Sequence, residues 1–148
     1  LQAARRRQGD MSDTVVVAVD GSAHTDKVLD AAAAYARQTE LPVVVVHVRE
    51  LEGVGKAGAV WREEREETAE IAARAVEHVK AQGVVADAVT ASAGIGHVAR
   101  AVADIARDRQ ARIVVVGTRG HGQIAGLLLG STATKLLHLM DRPILVVP

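Results

Sequence analysis

The feature that most constrains this fold is a regular alternation of short β-branched runs with segments of helical periodicity. Runs that are apolar on both faces are typical of strands buried in a parallel sheet. Between them, apolar residues recur at the three- and four-residue spacing of a helix that buries one face. The predicted strands are residues 14–19, 43–48, 84–91, 113–116 and 144–147.

The resulting order is β-α-β-α-β-α-β-α-β. Parallel strands need long crossover connections, and crossovers through helices are right-handed and cover the faces of the sheet. We therefore expect a doubly wound α/β fold, a three-layer α/β/α sandwich built on a five-stranded parallel sheet. Folds of this kind bind ligands beyond the carboxyl ends of their strands, where the winding reverses.

Several local expectations accompany this fold. The strand at 84–91 alternates in polarity and is predicted to lie at an edge of the sheet. Residues 51–60 contain three glycines and are predicted to form a flexible loop. The acidic run at 63–67 is predicted to be a solvated face of the second helix, which begins near Arg62.

The C-terminal part of the chain carries the fourth helix and the last strand. The helix is expected to begin near Ser131 and to bury Leu136, Leu137 and Met140. Pro143 then ends the connection, and the chain finishes in the apolar strand Ile144–Val147.

Composition excludes several classes of function. The 18 basic and 18 acidic residues give a formal net charge of zero, which is unlike a nucleic-acid-binding surface. Tyr35 and Trp61 are the only aromatic side chains, too few for stacking on single-stranded bases. Without cysteine there is no disulfide framework, and no apolar run approaches the ~18 residues of a membrane span.

The first ten residues, LQAARRRQGD, differ from the rest of the chain. Met11 looks like a natural start. Residues 1–10 are therefore predicted to be a disordered leader or an artificial remnant, a solvated tail rather than an anion contact. Residues 11–148 are predicted to form a single domain.

Two polar connections that contain glycine leave the ends of predicted strands. Asp20-Gly21-Ser22 follows the first strand, and GTRGHGQIAGLLLGST (117–132) follows the fourth. Glycine lets backbone amides approach a ligand without an intervening Cβ. The unpaired N–H groups at the start of the fourth helix favour an anion. If the two strands are neighbours, both connections line one crevice.

Three phosphate-loop patterns compete for residues 117–132. A Walker A loop is excluded because no lysine precedes a serine or threonine here. A dinucleotide fingerprint fits residues 120–125 only weakly, since it starts late after the strand and too little chain follows it. The third pattern, G-x2-G-x9-G-[ST], joins Gly117, Gly120 and Gly130-Ser131. The alternative that these glycines only make turns and that Ser131 only caps a helix stays open.

With this spacing the chain resembles the universal stress protein family, specifically its ATP-binding branch. The resemblance covers nearly everything from Met11 to Pro148. It rests on the opening VVVAVDGS, the second strand ending in HV, the glycine spacing and the closing PILVV. It implies an adenine nucleotide alpha hydrolase-like fold with an adenine nucleotide in the crevice.

The resemblance also implies which residues contact the nucleotide. Asp20 would accept from ribose hydroxyls, and an Asx-turn at Asp20-Gly21 is compatible with that role. The backbone of Val48 would read the adenine edge, and Arg119 would face a phosphate or remain solvated. Ala133 replaces a hydroxyl found in relatives, so one phosphate contact is in doubt. The implied set is Ala18, Val19, Asp20, Val48, Val116, Gly117, Arg119, Gly120, Gly130, Ser131 and Thr132.

No catalytic residue and no metal ligand are predicted. The six histidines form neither H-x-H nor H-E-x-x-H, the spacings of zinc sites. His47 is predicted to be a satisfied core histidine, whereas His121 lies in the phosphate loop. The expected ligand is ATP, accompanied by Mg²⁺ or Mn²⁺, with cAMP or AMP as the alternative. Slow ATP hydrolysis would be incidental or regulatory.

The family resemblance implies a cytoplasmic homodimer that acts in nucleotide-dependent stress response or signalling. Its dimer would pair Ile144–Val147 antiparallel across a two-fold axis. The sequence agrees, because an apolar edge strand exposes N–H and C=O groups that invite pairing. Two other functions stay open. One is a cAMP sensor, and the other is a protein-interaction module whose nucleotide is structural or absent.

Overall fold

The computed structural model describes residues 13–119 and 129–148. The predicted leader at 1–10 and the loop residues Gly120 and His121 lie outside these ranges. Within them the chain forms six strands and four helices. In order these are β1 (Thr14–Val19), α1 (Thr25–Thr39), β2 (Val43–Gly55), β3 (Gly58–Trp61), α2 (Arg65–Lys80), β4 (Ala86–Ala93), α3 (Val98–Asp108), β5 (Ala111–Gly117), α4 (Ser131–Leu139) and β6 (Ile144–Val147).

Five of the strands form a parallel sheet in the order β4-β2-β1-β5-β6. Helices α1 and α2 cover one face, and α3 and α4 cover the other. From β1 the chain winds outward through β2 to β4, and then returns to the other side of β1 as β5. This confirms the predicted α/β sandwich, and it makes β1 and β5 neighbours, as a shared crevice requires.

The valine runs form strands because both faces of the sheet are covered. Val15 and Val17 of β1 pack under α1 and α2, whereas Val16 packs under α3 and α4. All three are 0% exposed. Each such side chain contributes about 1.5–3 kcal/mol relative to full exposure. A continuous apolar strand therefore fits this sheet better than an alternating one. The described residues contain no helix long and apolar enough to cross a membrane.

The flexible loop predicted at 51–60 is instead a β-hairpin. Strand β2 continues to Gly55 and pairs antiparallel with β3. Gly58 has a φ of +111°, which glycine adopts readily and other residues do not. The guanidinium of Arg49 lies over the ring of Trp61, 4.1 Å from its centroid. The glycines of this segment thus shape a hairpin that stands beside the end of the sheet.

The structure also tests the predicted edge position of β4, the predicted start of α2, and the predicted start and buried residues of α4. Strand β4 pairs with β2 alone among the described strands, as an edge strand should. Helix α2 begins at Arg65 rather than near Arg62. Helix α4 begins at Ser131 as predicted and buries Leu136, but Leu137 is 51% exposed. The sequence prediction for Leu137 was therefore wrong, and Met140 is only partly buried at the end of the helix.

Candidate functional site

A cavity of about 560 Å³ opens beyond the carboxyl ends of β1, β2 and β5. Its volume falls within the range of small-ligand pockets, roughly 300–1,000 Å³. The cavity lies where the winding of the chain reverses, between β1 and β5, and the start of α4 forms one of its walls. The position is the one that a doubly wound sheet offers to a ligand.

The structure brings together the predicted site residues that it describes. Gly120 lies outside the described ranges, so its predicted role stays a prediction. The other ten lie around this one cavity, although the first and last of them are more than a hundred positions apart in the sequence. They are Ala18, Val19, Asp20, Val48, Val116, Gly117, Arg119, Gly130, Ser131 and Thr132.

One side of the cavity is apolar. Even-numbered residues of β1 and β2 face the layer of α3 and α4 because side chains alternate along a strand. Short side chains from α3 and β5 complete the same wall. This surface suits a flat, weakly polar group such as a nucleobase. Its apolar members are Ala18, Val46, Val48, Val98, Ala99, Val102 and Val116.

Asp20 is held by a local turn at the end of β1. Its Oδ1 accepts the N–H of Ser22 at 2.9 Å, which is the Asx-turn expected from the sequence. Gly21 has a φ of +76°, and a Cβ there would lie 2.9 Å from Cδ1 of Ile71. Only glycine fits this turn without strain. A carboxylate has about four acceptor positions, so the turn orients Asp20 and is compatible with a ligand contact.

Two glycines of the predicted G-x2-G-x9-G-[ST] pattern, Gly117 and Gly130, lie so close to neighbouring backbone atoms that a side chain has little room there. A Cβ at Gly117 would lie 3.1 Å from the carbonyl oxygen of Arg119, and one at Gly130 would lie 3.0 Å from that of Thr118. The N–H of Gly130 donates to the Thr118 carbonyl at 2.8 Å. Neither glycine has a positive φ. The absence of a side chain at Gly130 lets the start of α4 approach the backbone of Thr118, the residue after β5.

The N-terminus of α4 faces the cavity without a side-chain cap. Gly130 occupies the N-cap position and makes no side-chain hydrogen bond, so the alternative that Ser131 is the N-cap was wrong. The N–H groups of Ser131 and Thr132 have no acceptor within the helix. Both residues line the cavity. Ala133 is 1% exposed and adds no hydroxyl, as its sequence suggested. The arrangement favours an anion at this end of the cavity.

His47 and Glu63 form a buried polar network beside the cavity, of which the sequence predicted only the buried histidine. His47 is 2% exposed, and its ring is partnered on both sides, which confirms a satisfied core histidine. Nδ1 lies 2.7 Å from the Val19 carbonyl and Nε2 lies 2.5 Å from Oε1 of Glu63. Glu63 is 9% exposed, so its prediction as part of a solvated helix face was wrong. It precedes α2 and turns inward, and nothing in the acidic run distinguishes it from its neighbours.

The base of the hairpin adds charged groups that the sequence reasoning did not place. Arg49 is 5% exposed, and its Nε donates to Oγ of Ser92 at 2.7 Å. Glu50 accepts the N–H of Gly96 at 2.8 Å and lies 3.5 Å from Arg62. All of these except Ser92 line the cavity. Their position at the cavity was not predicted, because the second strand was expected to end at residue 48 and to be followed by a loop at 51–60.

No group of three or more His, Cys, Asp or Glu side chains within residues 13–119 and 129–148 could hold a metal ion. Two polar side-chain atoms of residues that line the cavity are buried without a hydrogen-bond partner among the described residues. They are Nε2 of His24 and Oγ1 of Thr25. Buried polar atoms usually have a partner. The side of the cavity next to α1 therefore has two polar atoms whose hydrogen-bonding capacity is not used by the described residues.

Comparison with known proteins agrees with this geometry. The model of the universal stress protein family matches residues 11–148. A universal stress protein of Mycolicibacterium smegmatis is 36% identical over 142 residues, covering 90% of this chain and 47% of that protein. The universal stress protein YxiE of Bacillus subtilis is 28% identical over 150 residues, covering 93% of this chain and 99% of its own length. The chain thus spans about half of the first relative and nearly all of the second.

The solved structures lead to the same result. The universal stress protein from Archaeoglobus fulgidus in complex with dAMP has a TM-score of 0.71 and is 26% identical, covering 93% of this chain and 99% of that one. Both the family resemblance and the fold expected from the sequence are therefore confirmed. The chain belongs to the universal stress protein family.

Proposed function

We propose that this protein binds an adenine nucleotide in the cavity between β1 and β5, with ATP as its ligand, and acts in nucleotide-dependent stress response or signalling. The observation that carries the proposal is that one cavity is lined by an apolar wall, by a helix N-terminus without a side-chain cap, and by the carboxylate-bearing residue Asp20. A nucleotide has a matching division into base, ribose and phosphates. The Archaeoglobus fulgidus relative, solved with dAMP, supports this class of ligand.

In this arrangement the base packs on the wall formed by α3 and the even-numbered residues of β1 and β2. Asp20 accepts from the ribose hydroxyls. The phosphates lie against the N–H groups that begin α4, where Ser131 and Thr132 also offer hydroxyls and Arg119 offers positive charge. Mg²⁺ or Mn²⁺ would enter with the phosphates. We assign no catalytic residue, and slow ATP hydrolysis would accompany binding rather than define the function.

Isothermal titration calorimetry of nucleotide-stripped protein tests the proposal. We expect saturable binding of about one ATP per chain in the presence of Mg²⁺, because the volume of this cavity suits one small ligand. The titration is repeated with AMP, dAMP and cAMP. Much tighter binding of cAMP than of ATP would keep the site and make the protein a cAMP sensor. No binding of any of these would contradict the proposal and favour a protein-interaction module.

We also propose that the protein is a cytoplasmic homodimer joined through β6. This strand pairs with β5 on one side only among the described strands. The carbonyl of Pro143 accepts the N–H of Val114 in β5, and that of Val147 accepts the N–H of Thr118, which follows β5. By alternation along the strand, the N–H of Val146 therefore points away from the sheet. Three of its four apolar residues are only partly buried, which suits an edge that pairs with a second copy.

Replacing Val146 with proline tests this interface, because proline removes an outward N–H that β5 does not use. We expect the wild type to sediment as a dimer at micromolar concentration and Val146→Pro to dissociate at least about tenfold more readily. The ATP titration of the variant is the control for folding. A monomeric wild type, or a variant that dimerises as tightly, would contradict the proposed interface.

A further inference from the structure

A pair of buried ionisable side chains lies at the carboxyl end of β1, where it pairs with β2. His47 is the register partner of Val19 in the parallel pairing of these strands. Its ring reaches back over β1, and Nδ1 lies 2.7 Å from the carbonyl oxygen of Val19. Nε2 lies 2.5 Å from Oε1 of Glu63. Both residues line the cavity, and both are at least nine-tenths buried.

The hydrogen bonds restrict where the protons are. A carbonyl oxygen can only accept, so Nδ1 of His47 carries a hydrogen and donates it to Val19. The contact between Nε2 and Glu63 contains one further proton, shared by a nitrogen and a carboxylate oxygen.

Glu63 is in turn fixed by α2. The hydroxyl of Thr68, in the first turns of that helix, lies 3.1 Å from the same Oε1. Thr68 is 4% exposed. A chain of contacts thus runs from α2 through Glu63 and His47 to the backbone of Val19. It ends one residue before Asp20, the carboxylate that faces the proposed ribose.

We propose that His47 and Glu63 are positioning residues of the nucleotide site: the proton-sharing pair fixes the Val19 carbonyl and with it the direction of the Asp20 carboxylate. This inference rests on the proposed function. It gives His47 and Glu63 a role in orienting the site, which depends on their hydrogen bonds and not only on their packing.

A matched pair of variants separates the hydrogen bond from everything else at this position. Glutamine and methionine have similar volumes and no charge, but only glutamine can donate to Nε2 of a neutral His47 while Nδ1 keeps its hydrogen. We expect Glu63→Gln to bind ATP within about threefold of the wild type, and Glu63→Met to bind about tenfold more weakly or worse. Glu67→Met, on the exposed first turn of α2, is the control and is expected to bind normally.

Nitrogen-15 NMR of the imidazole gives a readout that does not need a ligand. We expect the Nδ1–H signal of His47 to persist in the wild type and in Glu63→Gln, and to broaden or shift in Glu63→Met as the ring loses one partner. Should Glu63→Met fail to fold, Thr68→Val removes, with little change of shape, the hydroxyl that contacts Oε1 of Glu63 and also the carbonyl of Glu64. That variant is expected to weaken ATP binding about threefold.

The outcomes distinguish this inference from the proposed function. If the wild type binds no nucleotide, the proposed function fails, and the NMR comparison still decides whether the pair holds the Val19 carbonyl. If the wild type binds ATP and Glu63→Met binds it as tightly as Glu63→Gln, with an unchanged imidazole signal, the pair does not position the site. Equal affinities of wild type and Thr68→Val in the fallback experiment would overturn the inference in the same way.

Discussion

Truncation of Leu136 to alanine is expected to lower the free energy of unfolding by about 3–4 kcal/mol. Leu136 is 0% exposed and is among the largest fully buried side chains of the described residues. It packs between α4 and the sheet, together with residues of α3. Removing its branched end leaves a cavity that its neighbours can fill only in part.

The adjacent leucine provides a matched control. Leu137 has the same chemistry and lies in the same helix, but it is 51% exposed. Leu137→Ala is expected to change the free energy of unfolding by no more than about 0.5 kcal/mol. Denaturant unfolding followed by circular dichroism compares the two at constant m-value. Equal losses would mean that α4 packs on the sheet through a different face, which would also move its N-terminus away from the cavity.

The strands of this fold could be predicted from the sequence because the sheet is covered on both faces. Continuous valine runs such as those of β1 and β2 have no solvent-facing side, so their apolar character alone marks them. The same argument could not choose between Leu136 and Leu137. Adjacent apolar residues lie about 100° apart around a helix, and the contacts that bury one of them come from α3 and the sheet, which the local sequence does not contain.

The hairpin shows a second limit of local reasoning. The glycines at 53, 55 and 58 indicated a loop because glycine weakens a strand. In the structure, the antiparallel partner β3 and the contact of Arg49 with Trp61 hold this segment in extended form. Glu63, which follows the hairpin, is also buried. Its burial depends on His47, sixteen residues earlier in the chain, and charge patterning along a helix cannot report that.

The glycine spacing marked residues that the structure places around one cavity, but it suggested a different reason for its glycines. From the sequence, Gly117 and Gly120 were expected to let backbone amides approach phosphate or ribose oxygens, and Gly130 was expected to open the fourth helix. The structure shows that Gly117 and Gly130 first allow the chain to approach itself. At Gly130 the close approach includes a hydrogen bond from its N–H to the carbonyl of Thr118. The spacing of glycines in a sequence indicates positions that need to lack a side chain, but it does not indicate whether a ligand or the protein backbone occupies that space.

These two reasons can be separated at Gly130. A valine there would place its Cβ about 3.0 Å from the Thr118 carbonyl oxygen and add a branch at the N-cap of α4. We expect Gly130→Val to displace the first turn of α4 and to weaken ATP binding at least about 100-fold, measured by calorimetry. Overpacking at one position is expected to lower the free energy of unfolding by only about 1–3 kcal/mol.

Gly53→Val is the control for the Gly130 variant, because nothing lies within 4 Å of a Cβ at Gly53 and strands accept β-branched residues. It should bind ATP like the wild type. The helix N-terminus attracts phosphates only while its N–H groups converge on the cavity, so binding should fail before folding does. A folded Gly130→Val protein with normal ATP affinity would show that the phosphates lie elsewhere, and that Gly130 serves only the contact between β5 and α4.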